Sequence, residues 1–366
     1  RAVAECQGAG VRVMMITGDF PSTATAIARA SGIATDPVVH TGAEVDSWDD
    51  GTLQKRIGTV DAVARATPLT KLRIVQALQA RGEVVAMTGD GVNDAPALRA
   101  AHIGVAMGRR GSDVAREAAS LVLLDDNFSA LVAAVRQGRR IFANLRQAMV
   151  YVLGVHVPMI GLSVLPLFLG IGPILLPLHV MLLEFVIDPA CSLAFEAEPE
   201  NDDAMKRPPR PTHEHVIEGR HLAIAFAQGF TALLSACAVL AYAIAHQWPE
   251  NEIRAATMTS VVLGNIVLIL HNRNDALSFL KRLKRPNRAL WIVVVAALFA
   301  WSLVLFVPAL RSLFRLDVSN VATLSVPIAS TLIMAFVIEG LRAAARHLQL
   351  FRRLKPLDPS SLKGRP

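Results

Sequence analysis

The chain has 366 residues, 37 Lys and Arg against 30 Asp and Glu for a formal net charge of +7, and a 53% hydrophobic composition. That apolar share excludes an ordinary soluble protein. Its uneven spread, globular over residues 1–145 and in long hydrophobic runs beyond, predicts a soluble domain followed by a membrane domain. A positive balance can point to nucleic acid, but the basic clusters at 206–210, 281–288 and 342–355 flank the hydrophobic runs, so no nucleic acid is expected. That placement is the signature of membrane topology and anionic-lipid contact, so a lipid bilayer is the expected partner. Cys6, Cys191 and Cys237 show neither paired spacing nor a metal pattern.

Residues 1–6 read as the interior of a helix running into Gly8 and Gly10, as expected of a sequence that begins partway through a larger protein. Val11 to Ile16 predicts a strand delivering Thr17, Gly18 and Asp19 at its carboxyl end, and Pro21 opens a helix carrying Ala26, Ile27 and Ala30. Strand, glycine turn and helix follow the rhythm of a doubly wound sheet. The Thr17 hydroxyl and nearby amides could hold phosphate oxygens or simply cap the helix. Residues 33–60 predict a loop and a short helix without chemistry. A strand and a helix follow over 62–81, with Thr67 as N-cap, Pro68 at the first position and Leu72, Val75 and Leu78 on one face. Lys71 falls in that helix's first turn, where the dipole disfavours a cation; it is either solvated or placed to meet an anion.

Val84 to Met87 predicts a short buried parallel strand, and Ile103 to Met107 a second one. Between them runs Thr-Gly-Asp-Gly-Val-Asn-Asp-Ala-Pro, residues 88–96. Asp90 stands at a strand's carboxyl end, where open α/β sheets bind ligands, and Gly91 lets the chain turn beside it. Asn93 and Asp94 can reach the same pocket. Two carboxylates there suit magnesium, which takes one or two carboxylates with phosphate and water, although a lone Asp-Gly turn also serves merely to reverse a chain.

The complete string resembles the magnesium-binding hinge motif of the P-type cation-transporting ATPases, whose phosphorylation domain belongs to the haloacid dehalogenase superfamily. The resemblance extends over essentially the whole chain. It implies that Thr17, Gly18 and Asp19 form the superfamily's second motif, with Thr17 and Gly18 holding the transferred phosphoryl group. Arg65, Pro68 and Lys71 look like the third, in which Lys71 neutralises that group. Asn93 would complete the catalytic set, and Asp90 and Asp94 would bind magnesium. The family's nucleophile, the Asp of an Asp-Lys-Thr-Gly string, occurs nowhere in residues 1–366. The nucleotide-binding domain, the actuator domain with its Thr-Gly-Glu loop and the first transmembrane helices also lack counterparts. The resemblance therefore implies a carboxyl-terminal portion of a calcium-pump-like ATPase, with magnesium as cofactor. ATP is its expected substrate, reached through the missing nucleotide domain, and the chain is not competent alone. A membrane-tethered phosphatase of the haloacid dehalogenase type and a non-catalytic ion-binding membrane subunit are the other readings.

Beyond the motifs, Gly111 to Ala115 predicts the start of a helix, Leu121 to Leu124 a buried strand, and Phe128 to Leu145 a long helix carrying Arg136, Arg139 and Arg140. The resemblance makes that helix the stalk. The expected domains are a partial phosphorylation domain over 1–127, the stalk over 128–147, a cation-transport domain over 148–345 and a basic cytoplasmic tail over 346–366. The expected fold is a partial haloacid-dehalogenase-like doubly wound α/β sheet followed by an all-α bundle of six transmembrane helices. Their spans are near 148–170, 174–195, 221–245, 255–271, 289–309 and 321–340, each close to the length a bilayer needs. The loops after the second, fourth and sixth carry the basic residues, which puts the soluble part in the cytoplasm of a multi-pass plasma-membrane protein.

In the second span Glu184 and Asp188 stand four apart, on one helical face. A carboxylate at bilayer depth costs roughly 2.5–3.5 kcal/mol, so two together need a cation or protons. Pro189 frees a backbone carbonyl one turn back, and broken helices at mid-membrane are where transporters coordinate ions. His156 lies beside Pro158 in the first span, and Asn265 lies within the fourth. The resemblance to calcium pumps places Glu184, Asp188, His156, Met159 and Asn265 at ion-binding positions. Asp188 keeps the family's residue; Glu184, His156 and Asn265 are polar substitutions, and Met159 is a departure. A thioether replaces a carboxylate poorly for a hard cation. One transported-cation site is therefore expected, with Glu184 completing it or carrying a counter-transported proton.

Overall fold

A computed structural model describes the backbone of residues 1–211, 214–273 and 279–354, and the side chains of the same residues except 186–192 and 345–354. The expected basic tail, with Arg346, Arg352 and Arg353, lies outside the described side chains. The chain divides into two compact units, one of Arg1–Arg140 with Glu200–Glu214 and one of Ile141–Pro199 with His215–Pro366.

In the first unit the elements are α1 (Ala2–Gly8), β1 (Met15–Ile16), α2 (Pro21–Ala30), β2 (Val39–Thr41), α3 (Gly42–Ser47), α4 (Asp50–Arg56), β3 (Ala62–Ala64), α5 (Pro68–Ala80), β4 (Ala86–Gly89), α6 (Ala95–Ala100), β5 (Ile103–Met107), α7 (Asp113–Ala118) and β6 (Leu121–Leu123). All strand pairs are parallel, as short crossover helices require. The strands form two three-stranded sheets, ordered β1-β3-β2 and β4-β5-β6, where one doubly wound sheet was expected. Both β1 and β4 are therefore edges. This corrects the expectation of a buried strand at Val84 to Met87: Val85 and Met87 are buried, but Val84 is 60% exposed. The expected buried strand at Leu121 to Leu124 is likewise an edge, with Leu124 81% exposed.

Residues 33–60 hold more structure than a loop and one helix. β2 adds to β3, and α3 starts on a capping box in which Thr41 Oγ1 accepts from the Glu44 amide and the Glu44 carboxylate accepts from the Thr41 amide. The strand expected over Val11 to Ile16 shortens to its last two residues. Ile57, Val63, Ile74, Val75, Leu98 and Ala106 make the core between helices and sheets. Arg139 fastens this unit internally, donating to the carbonyls of Ala9, Ala204 and Arg207.

Helix α8 is continuous from Phe128 to Leu169, so the stalk and the first span are one element. The second unit continues with α9 (Pro177–Pro189), α10 (Gly219–Ala245), α11 (Glu250–His271), α12 (Phe279–Lys284), α13 (Arg288–Phe306), α14 (Pro308–Leu313) and α15 (Ala322–Leu354). Among the described residues five helices are long and apolar enough to cross a membrane: α8, α10, α11, α13 and the 322–344 part of α15. The expected second span is not among them. α9 has 13 residues and passes straight after Pro189 into a π-helical turn, Ala190–Phe195. The core of this unit gathers Tyr151, Met159, Leu183, Phe195, Met258 and Leu268.

Candidate functional site

In the first unit a cleft of about 330 Å³ opens between the carboxyl ends of β1 and β4. Thr17, Gly18, Lys71, Asp90 and Asp94 line it with Thr88 and Gly89. The sheet geometry explains the convergence: parallel strands present their carboxyl ends on one side, and the turns that follow them carry the polar groups.

Thr17 is fixed at the end of β1 by its amide, which donates to the Val63 carbonyl at 2.9 Å, while its carbonyl accepts from the Ala66 amide at 3.1 Å. Its hydroxyl donates to the Asp19 carboxylate at 3.0 Å and accepts from the Asp19 amide at 3.1 Å. Asp19 is exposed and stands outside the cleft lining, where it orients Thr17. Arg65, in the left-handed region with φ 54°, stacks its guanidinium 4.5 Å from the Phe20 ring.

Lys71 reaches the cleft because Thr67 and Thr70 cap α5 reciprocally and Thr70 is anchored at 2.8 Å to Asp46. Its ammonium donates to Asp94 Oδ1 at 2.6 Å, with side-chain exposures of 15% and 7%. The other Asp94 oxygen accepts from the amides of Asp90 and Gly91, at 3.2 and 3.1 Å. Asp94 thus clamps the lysine to the glycine turn. A Cβ on Gly89 would lie 2.5 Å from Asp94 Cβ, so the clamp requires glycine there.

Asp90 is exposed, and among the described residues its carboxylate carries no ion pair. Its backbone is pinned by the Ser112 amide, which donates to its carbonyl at 2.8 Å. A hard cation with water and phosphate as its remaining ligands fits this one free carboxylate. Asp94 is occupied by its three donors, and Asn93 is exposed and outside the cleft lining. Among the described residues no cluster of three or more His, Cys, Asp or Glu could hold a metal unaided.

In the second unit His156 and Glu184 come together, with His156 Nε2 3.4 Å from Glu184 Oε1. The other imidazole nitrogen is 2.7 Å from the Val152 carbonyl, which accepts its proton. Met159 is buried one turn further on. Asn265 is 4% exposed, and among the described residues neither its oxygen nor its nitrogen has a hydrogen-bond partner. The Asp188 side chain lies outside those described.

Sequence reading missed a buried ionic group at the ends of the spans. Glu198 and Arg273, each 2% exposed, pair at 2.9 Å, and Asn287 donates to the same carboxylate at 2.8 Å. Arg282, expected in a lipid-facing basic cluster, is instead 1% exposed and donates to Glu339 at 2.6 Å. Its place in a charge-rich run hid it; nothing in spacing marks a cation that turns inward.

Residues 1–102 match the haloacid dehalogenase-like hydrolase family, and residues 172–344 match the cation transporting ATPase carboxyl-terminal family. The chain is 42% identical over 219 residues to a calcium-transporting ATPase 1 of Bacillus cereus, covering 60% of this chain and 25% of that protein. It is 34% identical over 334 residues to a calcium-transporting ATPase 1 of Schizosaccharomyces pombe, covering 88% and 37%. A human calcium-transporting ATPase type 2C member 2 is 32% identical over 325 residues, covering 86% and 34%. The chain spans from a quarter to somewhat over a third of the length of these relatives.

Proposed function

We propose, from the premise that this chain belongs to the P-type cation-transporting ATPases and corresponds to their carboxyl-terminal part, that it supplies part of the phosphorylation site and the cation site of an ATP-driven pump. The observation carrying this reading is the cleft in which Thr17, Lys71 and Asp90 converge. Phosphoryl transfer needs fixed donors and cations against charge spread over three oxygens, and these groups are of that kind. The Gly18 amide, and the Thr17 hydroxyl once its proton turns from Asp19, would donate to the phosphoryl oxygens. Lys71, held by Asp94, would oppose their charge. Magnesium, with Asp90 as its protein ligand, would supply further charge neutralisation. The accepting aspartate belongs to an Asp-Lys-Thr-Gly string that residues 1–366 do not contain.

The transported cation is assigned to Glu184 and Asp188, with His156 and Asn265 nearby in role; α9 with its π-helical turn would serve as the sixth span. Met159 leaves one cation site per cycle, and the names of the relatives favour calcium as its occupant. The basic loops put the first unit on the cytoplasmic side.

Labelled ATP tests this reading. The 366-residue chain alone should take up no acid-stable, hydroxylamine-sensitive label. A full-length pump containing it should do so, and Lys71→Ala in that pump should cut the phosphorylation rate by about 10²-fold or more. Label on the chain alone, or a Lys71→Ala variant at wild-type rate, contradicts the assignment.

A further inference from the structure

Several hydroxyl groups in the spanning helices bond within their own helix. Ser163, Thr231, Thr259 and Ser302 each donate to the carbonyl four residues back, at 2.7–2.8 Å, the local bond open to any helical Ser or Thr. Thr257, Ser260 and Thr331 do not. They are 0%, 2% and 5% exposed, and their hydroxyl oxygens have no hydrogen-bond partner among the described residues. Such groups in a native interior call for a ligand, since a buried polar atom without a partner is unfavourable.

The helix register brings the three together. α11 and α15 run side by side in parallel: Thr323 donates to Glu252, Arg342 to the His271 carbonyl, and Arg342 to Asn272, partners separated by 71, 71 and 70 residues. Gly264 lies beside the Met334 sulfur at the same offset. Ser260 is therefore level with Ser330 and Thr331, and Thr257 with Pro327. On α11, Thr257, Ser260 and Gly264 recur at helical spacing on the face that meets α15. Ser330 in turn shares a 2.8 Å hydrogen bond with Ser235 of α10. Pro327, inside α15, has no N–H, so the Thr323 carbonyl lacks its helical donor. About midway along α11, three helices thus contribute Ser235, Ser260, Ser330 and Thr331, with Thr257 one turn away.

Every oxygen in this layer is neutral, whereas hard divalent cations are held by sets that include carboxylates. A water molecule needs two to four polar partners, which the layer provides. We propose that this layer is a hydrated site, in which ordered water bridges Thr257 and Ser260 of α11 to Thr331 of α15. Water then ties together helices whose own side chains make no direct bond there. The proposal does not depend on the pump reading.

Isosteric replacement in the full chain, purified in detergent, distinguishes a wet layer from a dry one by sign. If water bridges the hydroxyls, Thr257→Val, Ser260→Ala and Thr331→Val each lower the thermal midpoint by about 2 °C or more. If the hydroxyls are dry and unpaired, the same apolar replacements leave the midpoint unchanged or raise it, which overturns the proposal. A high-resolution structure of the wild-type chain decides the matter even where a variant fails to fold. Density within about 2.7–3.2 Å of at least two of the three oxygens supports the site. No density there overturns it, as does a peak that thallium replaces, which would mark a monovalent cation instead.

Discussion

Lys71 and Asp94 show what the cleft asks of single residues. A lysine in a helix's first turn faces an unfavourable dipole, and the offset comes from a carboxylate 2.6 Å away that also accepts from two backbone amides. Removing the ammonium leaves Asp94 buried with its charge uncompensated. Lys71→Ala should therefore destabilise the first unit by about 3 kcal/mol in urea unfolding, on top of any loss of activity. A change under about 1 kcal/mol would show that the pair is solvent-screened and that Lys71 is free to act elsewhere. Asp126 gives a pH-dependent counterpart. Its carboxylate accepts from the Arg109 and Arg110 amides at 2.9 and 3.0 Å, and these bonds, the Arg109 amide foremost, hold its pKa below the ordinary value. A depressed carboxyl contributes stability that is whole above the unfolded value, about 3.9, and is lost as pH falls through the folded one. The thermal midpoint of Asp126→Asn should lie below wild type from about pH 5 to 7, and the gap should close on acidification below about pH 4. A gap that persists at about pH 2 contradicts that assignment.

At the level of elements, the glycine turn after β4 was legible because its chemistry is local: a strand end, a glycine and two carboxylates within five positions. The capping of α5 by Thr67 was legible for the same reason. The split of the sheet was not. Val84 to Met87 is apolar enough for a buried strand, yet β4 is an edge beside the cleft, and burial depends on what lies alongside rather than on the strand's own residues. β2 escaped notice because Val39 to Thr41 is too short to show alternation, although the Thr41–Glu44 capping box that follows it is a readable signal. At α9 a hydrophobic run of full span length gave no sign of the change to a π-helical turn after Pro189. Gly89 offers a test of how the elements meet. Gly89→Ala should displace Asp94, release Lys71 and slow phosphorylation of the full-length pump even though residue 89 carries no functional group. Phosphorylation at the wild-type rate would show that the clamp tolerates a methyl group and does not position the lysine.

For the whole molecule, composition and charge pointed to helices long and apolar enough to cross a membrane in the carboxyl-terminal part, because long apolar runs and flanking cations are global signals. They could not tell that Arg273 and Arg282 turn inward to Glu198 and Glu339, since an inward and an outward arginine look alike in sequence. The proposed function gives one chain two chemically distinct sites, a phosphoryl cleft at Thr17, Lys71 and Asp90 and a cation site at Glu184 and Asp188. Phosphorylation of a full-length pump from both directions tests it most directly, with labelled ATP plus cation and with labelled inorganic phosphate without cation. Asp90→Asn should abolish label from both, whereas Asp188→Asn should keep label from inorganic phosphate and lose only the cation-dependent label from ATP. An Asp188→Asn pump whose labelling from ATP still follows cation concentration as in wild type would contradict the proposed function.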